Sequence, residues 1–169
     1  AQIKDLNCGK YLHDVIEADH KADFCIGVAG YPEKHLEAPS LQTDLKRLKE
    51  KVDAGADYVV TQMFFDNKKY FKFVEAAKKA GINIPIIPGI KPIAVKRHLQ
   101  LLPQVFKIDL PESLINSVEN CKSNIDVRQV GIEWTIQQSK ELLAAGVPVL
   151  HYYSMGKSDN IEAIAKELF

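Results

Sequence analysis

Side chains able to bind ligands or move protons gather where the apolar stretches of this chain end. Tyr31 and His35 follow the run Phe24-Cys25-Ile26-Gly27-Val28-Ala29, in a polar loop that also holds Glu33 and Glu37. Gln62 lies at the end of Tyr58-Val59-Val60-Thr61-Gln62-Met63, and Lys91 follows the run from Ile84 to Ile90. Tyr153 closes the run that starts at Val149, and Lys157 comes shortly after it. A tyrosine ring can pack on a flat ligand while its hydroxyl hydrogen-bonds, and a histidine can exchange a proton near neutral pH. A glutamine amide can pair with a donor–acceptor edge, and a lysine can form a Schiff base or hold a phosphate. Each also has a plainer role: a packing tyrosine, a core amide with satisfied partners, a lysine in an exposed loop. No GxGxxG, Walker loop or nucleophile elbow accompanies them.

The elements that must position these residues repeat one grammar. Ser40 is a natural N-cap, and Leu41, Leu45, Leu48 and Val52 recur at helical spacing behind it. Asp44 and Lys51 are two turns apart on one flank of that stripe. Asp66 caps a second helix carrying Tyr70, Phe73, Val74 and Ala77. Further helices are expected from about Ile93 to Leu101, Pro111 to Val118 and Ile125 to Ala145, with a last one capped by Ser158 or Asp159. Ala54-Gly55, Ala80-Gly81 and Ala145-Gly146 end three of them, glycine being the residue that takes a left-handed C′ conformation readily. The spacing of Tyr11, Leu12, Val15 and Ile16 predicts another helix over about Gly9–Ala18. Short strands apolar on both faces, alternating with helices, belong to a parallel sheet covered on both sides. The expected fold class is therefore parallel α/β, either a small open sheet or part of a TIM-barrel-type (β/α) barrel, whose ligands bind at the strand C-termini.

A chain of 169 residues fits one domain. Its 22 basic and 22 acidic side chains balance, which gives no electrostatic ground for nucleic acid or an anionic membrane as partner. Cys8, Cys25 and Cys121 are widely spaced with no CxxC pair, an arrangement unlike a disulfide framework or a zinc site and suited to a reducing compartment. Pro85, Pro88 and Pro148 cut the longest apolar runs and no segment resembles a signal peptide, so a cytoplasmic protein with no membrane partner is expected.

The residues also carry a resemblance. Ala29-Gly30-Tyr31-Pro32-Glu33 with His35 and Glu37-Ala38, Asp44-Leu45, Lys49-Glu50-Lys51-Val52 and Ala54-Gly55-Ala56-Asp57 are similar to the methylenetetrahydrofolate reductase family. Thr61-Gln62-Met63-Phe64-Phe65-Asp66, Ile87-Pro88-Gly89-Ile90 with Pro92, and His151-Tyr152-Tyr153 continue the match in order. The resemblance implies a (β/α) barrel that binds FAD and reduces 5,10-methylenetetrahydrofolate to 5-methyltetrahydrofolate with NADH or NADPH. It implies Tyr31, His35, Ala38, Asp44 and Lys51 as flavin contacts, and Gln62, His98, Tyr153 and Lys157 as residues near folate. The chain departs from the family in places. Arg47 and Glu50 stand where some bacterial members have an amide and a basic flavin contact. His98 replaces a glutamine, and Lys157 an arginine, which keeps the charge but loses the bidentate fork.

The match covers the last four strands of an eight-stranded barrel. The family's glutamate acid on the first strand and the acidic residue of the fourth have no counterpart, so no catalytic residue is expected here. The implied molecule is a C-terminal half-barrel, inactive by itself, whose open parallel edges favour association of two copies. Two other classes stay open: a lysine Schiff-base aldolase-like barrel using Lys91 or Lys157, and an inert self-associating fragment.

Overall fold

The computed structural model describes residues 2–11, 16–17, 21–156 and 158–169. After helix α1 (Gln2–Asn7), Gly9 turns the chain at φ 78°, and strands β1 (Lys10–Tyr11) and β2 (Ile16–Glu17) pair antiparallel. This corrects the helix expected over Gly9–Ala18, of which residues 12–15 and 18 lie outside the described part. Four apolar residues in two adjacent pairs cannot separate one helical turn from two short strands.

Strands β3 (Gly27–Gly30), β4 (Tyr58–Thr61) and β5 (Ile86–Ile87) form a parallel sheet in that order, with Val28 opposite Val59 and Val60 opposite Ile87. Strands β6 (Gly89–Ile90) and β7 (His151–Tyr152) pair in parallel beside it. The single strand expected over Ile84–Ile90 is thus broken at Pro88, which has no N–H to give to a ladder. The break is bridged. The Pro88 carbonyl accepts from His151 N–H at 3.0 Å, and Gly89 N–H donates to the buried Thr61 hydroxyl at 2.9 Å. The four strand positions therefore follow one another in sequence order, all parallel, with a helix after each.

Helices α2 (Leu41–Asp53) and α3 (Asn67–Lys79) start at Ser40 and Asp66, whose side chains accept from the N–H groups of Thr43 and Lys68. Leu45 and Leu48 from α2 and Phe73 and Ala77 from α3 close over Val59, which is fully buried. Leu41 departs from the expected stripe: it is 38 % exposed, at the helix mouth. Helix α4 (His98–Phe106) begins five residues later than expected. Pro92 disfavours helical backbone at Lys91, and the Ala94 and Lys96 N–H groups are taken by His98 Nδ1 and by Asn124. Helices α5 (Glu112–Glu119) and α6 (Asn124–Ala144) match expectation, α6 opening with a capping box between Ser123 and Asp126. Helix α7 (Asp159–Leu168) has Ser158 at its N-cap, but neither expected side chain caps it; Asp159 pairs instead with Arg128 at 3.2 Å. Gly55, Gly81 and Gly146, which end α2, α3 and α6, have φ of 101°, 79° and 84°, as the Ala-Gly endings imply.

The junction at Gly89 tolerates no side chain. A Cβ there would lie 2.1 Å from the Thr61 carbonyl oxygen and 2.6 Å from the Tyr153 ring. Gly89→Ala is expected to destabilise the fold by about 1–3 kcal/mol, the range for overpacking. A lowered urea midpoint with unchanged slope would register it; an unchanged midpoint would mean that the junction is loose.

Candidate functional site

The loop after β3 is held from two sides. On one, His35 N–H donates to Asp44 Oδ2 at 2.9 Å, which ties the loop to the first turn of α2. Within it, Glu37 N–H donates to His35 Nδ1 at 3.2 Å, and Lys34, at φ 77°, reaches the Ala38 carbonyl at 2.6 Å. On the other side Glu33 Oε2 accepts from Lys69 Nζ at 2.5 Å and from Asp109 N–H at 2.9 Å. Lys69 also pairs with Asp109. Because His35 Nδ1 accepts, the neutral ring carries its proton on Nε2.

Tyr31 stacks edge-on against His35, ring centroids 4.6 Å apart. Burial, then the Asp44 carboxylate, push the Tyr31 hydroxyl above its ordinary range, so it stays a neutral donor. Tyr153, from the end of β7, donates to the Thr61 carbonyl at 2.9 Å and is likewise pushed up, by burial and then by Tyr31. Tyr31, His35, Ala38 and Asp44 are thus brought together, with Tyr153 within electrostatic reach of Tyr31. Ala38 is buried and contributes a methyl group and its carbonyl. Gln62 is half-buried; its Oε1 accepts from Met63 N–H at 3.0 Å, and its Nε2 has no partner among the described residues. Lys51 is not joined to this group. It is exposed, two turns down α2 from Asp44, or about 10 Å at helical rise. Arg47 and Glu50 are exposed on the same helix. Lys157 lies outside the described residues.

Tyr153 also walls a second space, a cleft of about 510 Å³ between the β6–α4 segment, α4 and the start of α7. His98 lines it, and so does Lys91, which is only 6 % exposed; this corrects the expectation of an exposed loop lysine. Burial pushes Lys91 below the ordinary lysine range, and burial followed by the Lys91 charge pushes His98 below the ordinary histidine value. Local sequence carried one signal for this burial, the flanking Ile90 and Pro92. The Glu33–Lys69–Asp109 network carried none, since its members are 36 and 40 residues apart. A smaller cavity of about 260 Å³ lies between α3 and α6, at Asn67, Trp134 and Gln138, and contains none of the strand-end residues beyond the turn at Phe65 and Asp66. Among the described residues no cluster of three or more His, Cys, Asp or Glu is placed to hold a metal ion, and no helix is long and apolar enough to cross a membrane.

A family model described as methylenetetrahydrofolate reductase matches residues 2–169. A probable methylenetetrahydrofolate reductase (NADPH) of Caenorhabditis elegans is 39 % identical over 147 residues, covering 86 % of this chain and 22 % of that protein. The 5,10-methylenetetrahydrofolate reductase of Escherichia coli is 36 % identical over 148 residues, covering 87 % of this chain and 50 % of that protein. The chain thus spans half or less of the length of these relatives. Among solved structures, an uncharacterised protein from Clostridium thermocellum that binds two copies of 5-methyl-5,6,7,8-tetrahydrofolic acid superposes with a TM-score of 0.55 at 20 % identity, over 86 % of this chain and 52 % of that one. That likeness concerns the fold alone.

The depressed histidine has a consequence for stability. Between the lowered folded value of His98 and the ordinary 6.5, the unfolded chain binds more protons than the folded one. Stability is therefore expected to fall as pH drops below the ordinary value and through the folded one. His98→Gln, whose amide oxygen can still accept from Ala94 N–H, should flatten this dependence in urea midpoints measured from about pH 7 to about pH 5. Identical profiles for the two proteins would refute the assignment.

Proposed function

The chain belongs to the methylenetetrahydrofolate reductase family, and we propose that it forms the C-terminal half of a (β/α)8 barrel that reduces 5,10-methylenetetrahydrofolate to 5-methyltetrahydrofolate. The observation that carries this reading is the convergence of Tyr31, His35, Asp44 and Tyr153 at the C-terminal edge of parallel strands, beside a cleft that Tyr153 shares. Four successive parallel strands and coverage of half of the Escherichia coli relative support the half-barrel.

FAD fits the donor set. Tyr31, His35, Ala38 and Asp44 would hold it at one end, and Lys51 would take a phosphate oxygen about 10 Å down the helix, a separation suited to an elongated dinucleotide. The flavin, when bound, supplies a two-electron carrier between NADH or NADPH and folate; the nematode relative is named for NADPH. The chain's own residues bind and orient. Asp44 fixes the His35 backbone, Tyr31 offers a neutral hydroxyl, and Gln62 can donate through Nε2 while a second lone pair on Oε1 accepts. Gln62, His98, Tyr153 and Lys157 form the folate side in this reading. No residue here takes the role of the acid that opens the methylene bridge, so the chain alone is inactive. Strands β3 and β7 each pair on one side only among the described residues, and we expect two copies to associate through such edges.

Saturable quenching of FAD fluorescence by the purified chain tests the reading. Lys51→Ala should weaken binding about tenfold, some 1.4 kcal/mol, and leave thermal unfolding unchanged because the side chain is exposed. Absence of saturable binding by the folded wild-type chain would place the flavin site elsewhere. Light scattering on the same sample addresses association, and a monodisperse monomer would overturn it.

A further inference from the structure

Lys91 is the one buried lysine among the described residues, and it has neither a hydrogen bond nor a carboxylate partner among them. Its stem leaves the end of β6 and its side chain lines the cleft shared with His98 and Tyr153. None of the residues lining that cleft is acidic. An ammonium removed from water without a counter-charge is costly to the fold, and such groups are normally paired or neutralised.

The neighbouring polar groups are donors too. His98 Nδ1 is occupied by the Ala94 N–H, so a neutral ring presents Nε2–H. Asn160, also in the lining, has its Oδ1 taken by Arg128 Nε, which leaves its amide N–H₂ as the group with hydrogen bonds to give. Leu101, Leu102, Val105 and Phe106 make the opposite wall apolar.

From these we propose that Lys91 is an oxyanion-binding group of the cleft, which takes a ligand with an apolar body and a carboxylate or phosphate seated on the Lys91 ammonium. The site follows from the cleft; only the naming of its ligand rests on the folate reading, in which the carboxylates of a glutamyl tail and the phosphates of a nicotinamide dinucleotide are the two sources. Lys91 is then a specificity residue that touches the anionic end of the ligand.

Calorimetric titration of the chain with p-aminobenzoylglutamate and, separately, with inorganic pyrophosphate tests this. At least one should bind saturably, at least tenfold more weakly to Lys91→Met, with partial recovery in Lys91→Arg and affinity that falls with added salt. A response confined to the first probe identifies a carboxylate ligand, and one confined to pyrophosphate identifies a phosphate. Lys91→Met removes a buried unpaired charge and should fold with an unchanged or raised melting temperature. As a readout needing no variant, the signal of isotopically dimethylated Lys91 should shift on probe addition. Equal affinities for wild type and Lys91→Met would overturn the proposal, as would binding of neither probe, or borohydride-dependent trapping of a carbonyl compound on Lys91. FAD quenching is read independently: FAD bound without an oxyanion response sinks this proposal alone, and the converse sinks the flavin reading alone.

Discussion

The arrangement of the site depends on the contact of three strands at Thr61. Its hydroxyl accepts from Gly89 N–H and its carbonyl accepts from the Tyr153 hydroxyl, both at 2.9 Å, while its side chain is fully buried. Pro88 makes this necessary. A strand that loses a ladder donor must recover its pairing through a side chain or leave polar groups unmet inside the core. The Tyr153 hydroxyl supplies a donor to the Thr61 carbonyl, the Thr61 hydroxyl gives Gly89 N–H its acceptor, and the absence of a Cβ at Gly89 lets the two backbones come close enough for both. The same contact fixes the Tyr153 ring, and Ile90 N-terminal to Lys91 is buried completely beside it. The strand side of the cleft, from Gly89 to Tyr153, is therefore held through one threonine.

The loop after β3 is stiffened by charge more than by packing. Glu33 is almost wholly covered, and burial raises its proton affinity even though Lys69 and the Asp109 N–H act against this. One of its carboxylate oxygens has no hydrogen-bond partner among the described residues. Breaking such a pair leaves an uncompensated buried charge, so its value lies in holding one conformation and not in net stabilisation. With Asp44 on the opposite side, Tyr31 and His35 are carried on a segment pinned at both ends, as pre-organised ligand contacts require.

Much of this was legible locally. Ser40 and Asp66 cap as their types imply, and the Ala-Gly pairs end helices where the left-handed turn is found. The parallel α/β class followed from apolar strands alternating with amphipathic helices. What was not legible is non-local. Helix α4 starts late because Asn124 and Glu119 hold Lys96 from more than twenty residues away. Lys91 carries a charge that local patterning assigns to solvent, and its burial comes from α4 and α7 folding over it. Helix α7 misleads for a related reason: Asp159 is drawn to Arg128 on α6 and not to its own helix end.

The charges that act on the strand-end rings differ between the two groups, and Tyr153 stands between them. On the β3 side burial, and after it the Asp44 carboxylate, raises the proton affinity of the Tyr31 hydroxyl. On the β6 side burial, and after it the Lys91 charge, lowers the proton affinity of His98. Interactions of this kind reach farther in a partly buried site than in water. A molecule lying across both halves would therefore meet hydroxyl and imidazole donors in the middle, with the Asp44 carboxylate at one flank and the Lys91 ammonium at the other. Such a field orients a ligand that has an anionic end and an uncharged ring system, because reversing it would set the anion against Asp44 and leave Lys91 uncompensated. Orientation of that sort requires no movement of the protein, since Asp44 is held by the backbone of His35 and Tyr153 by Thr61 before any ligand arrives.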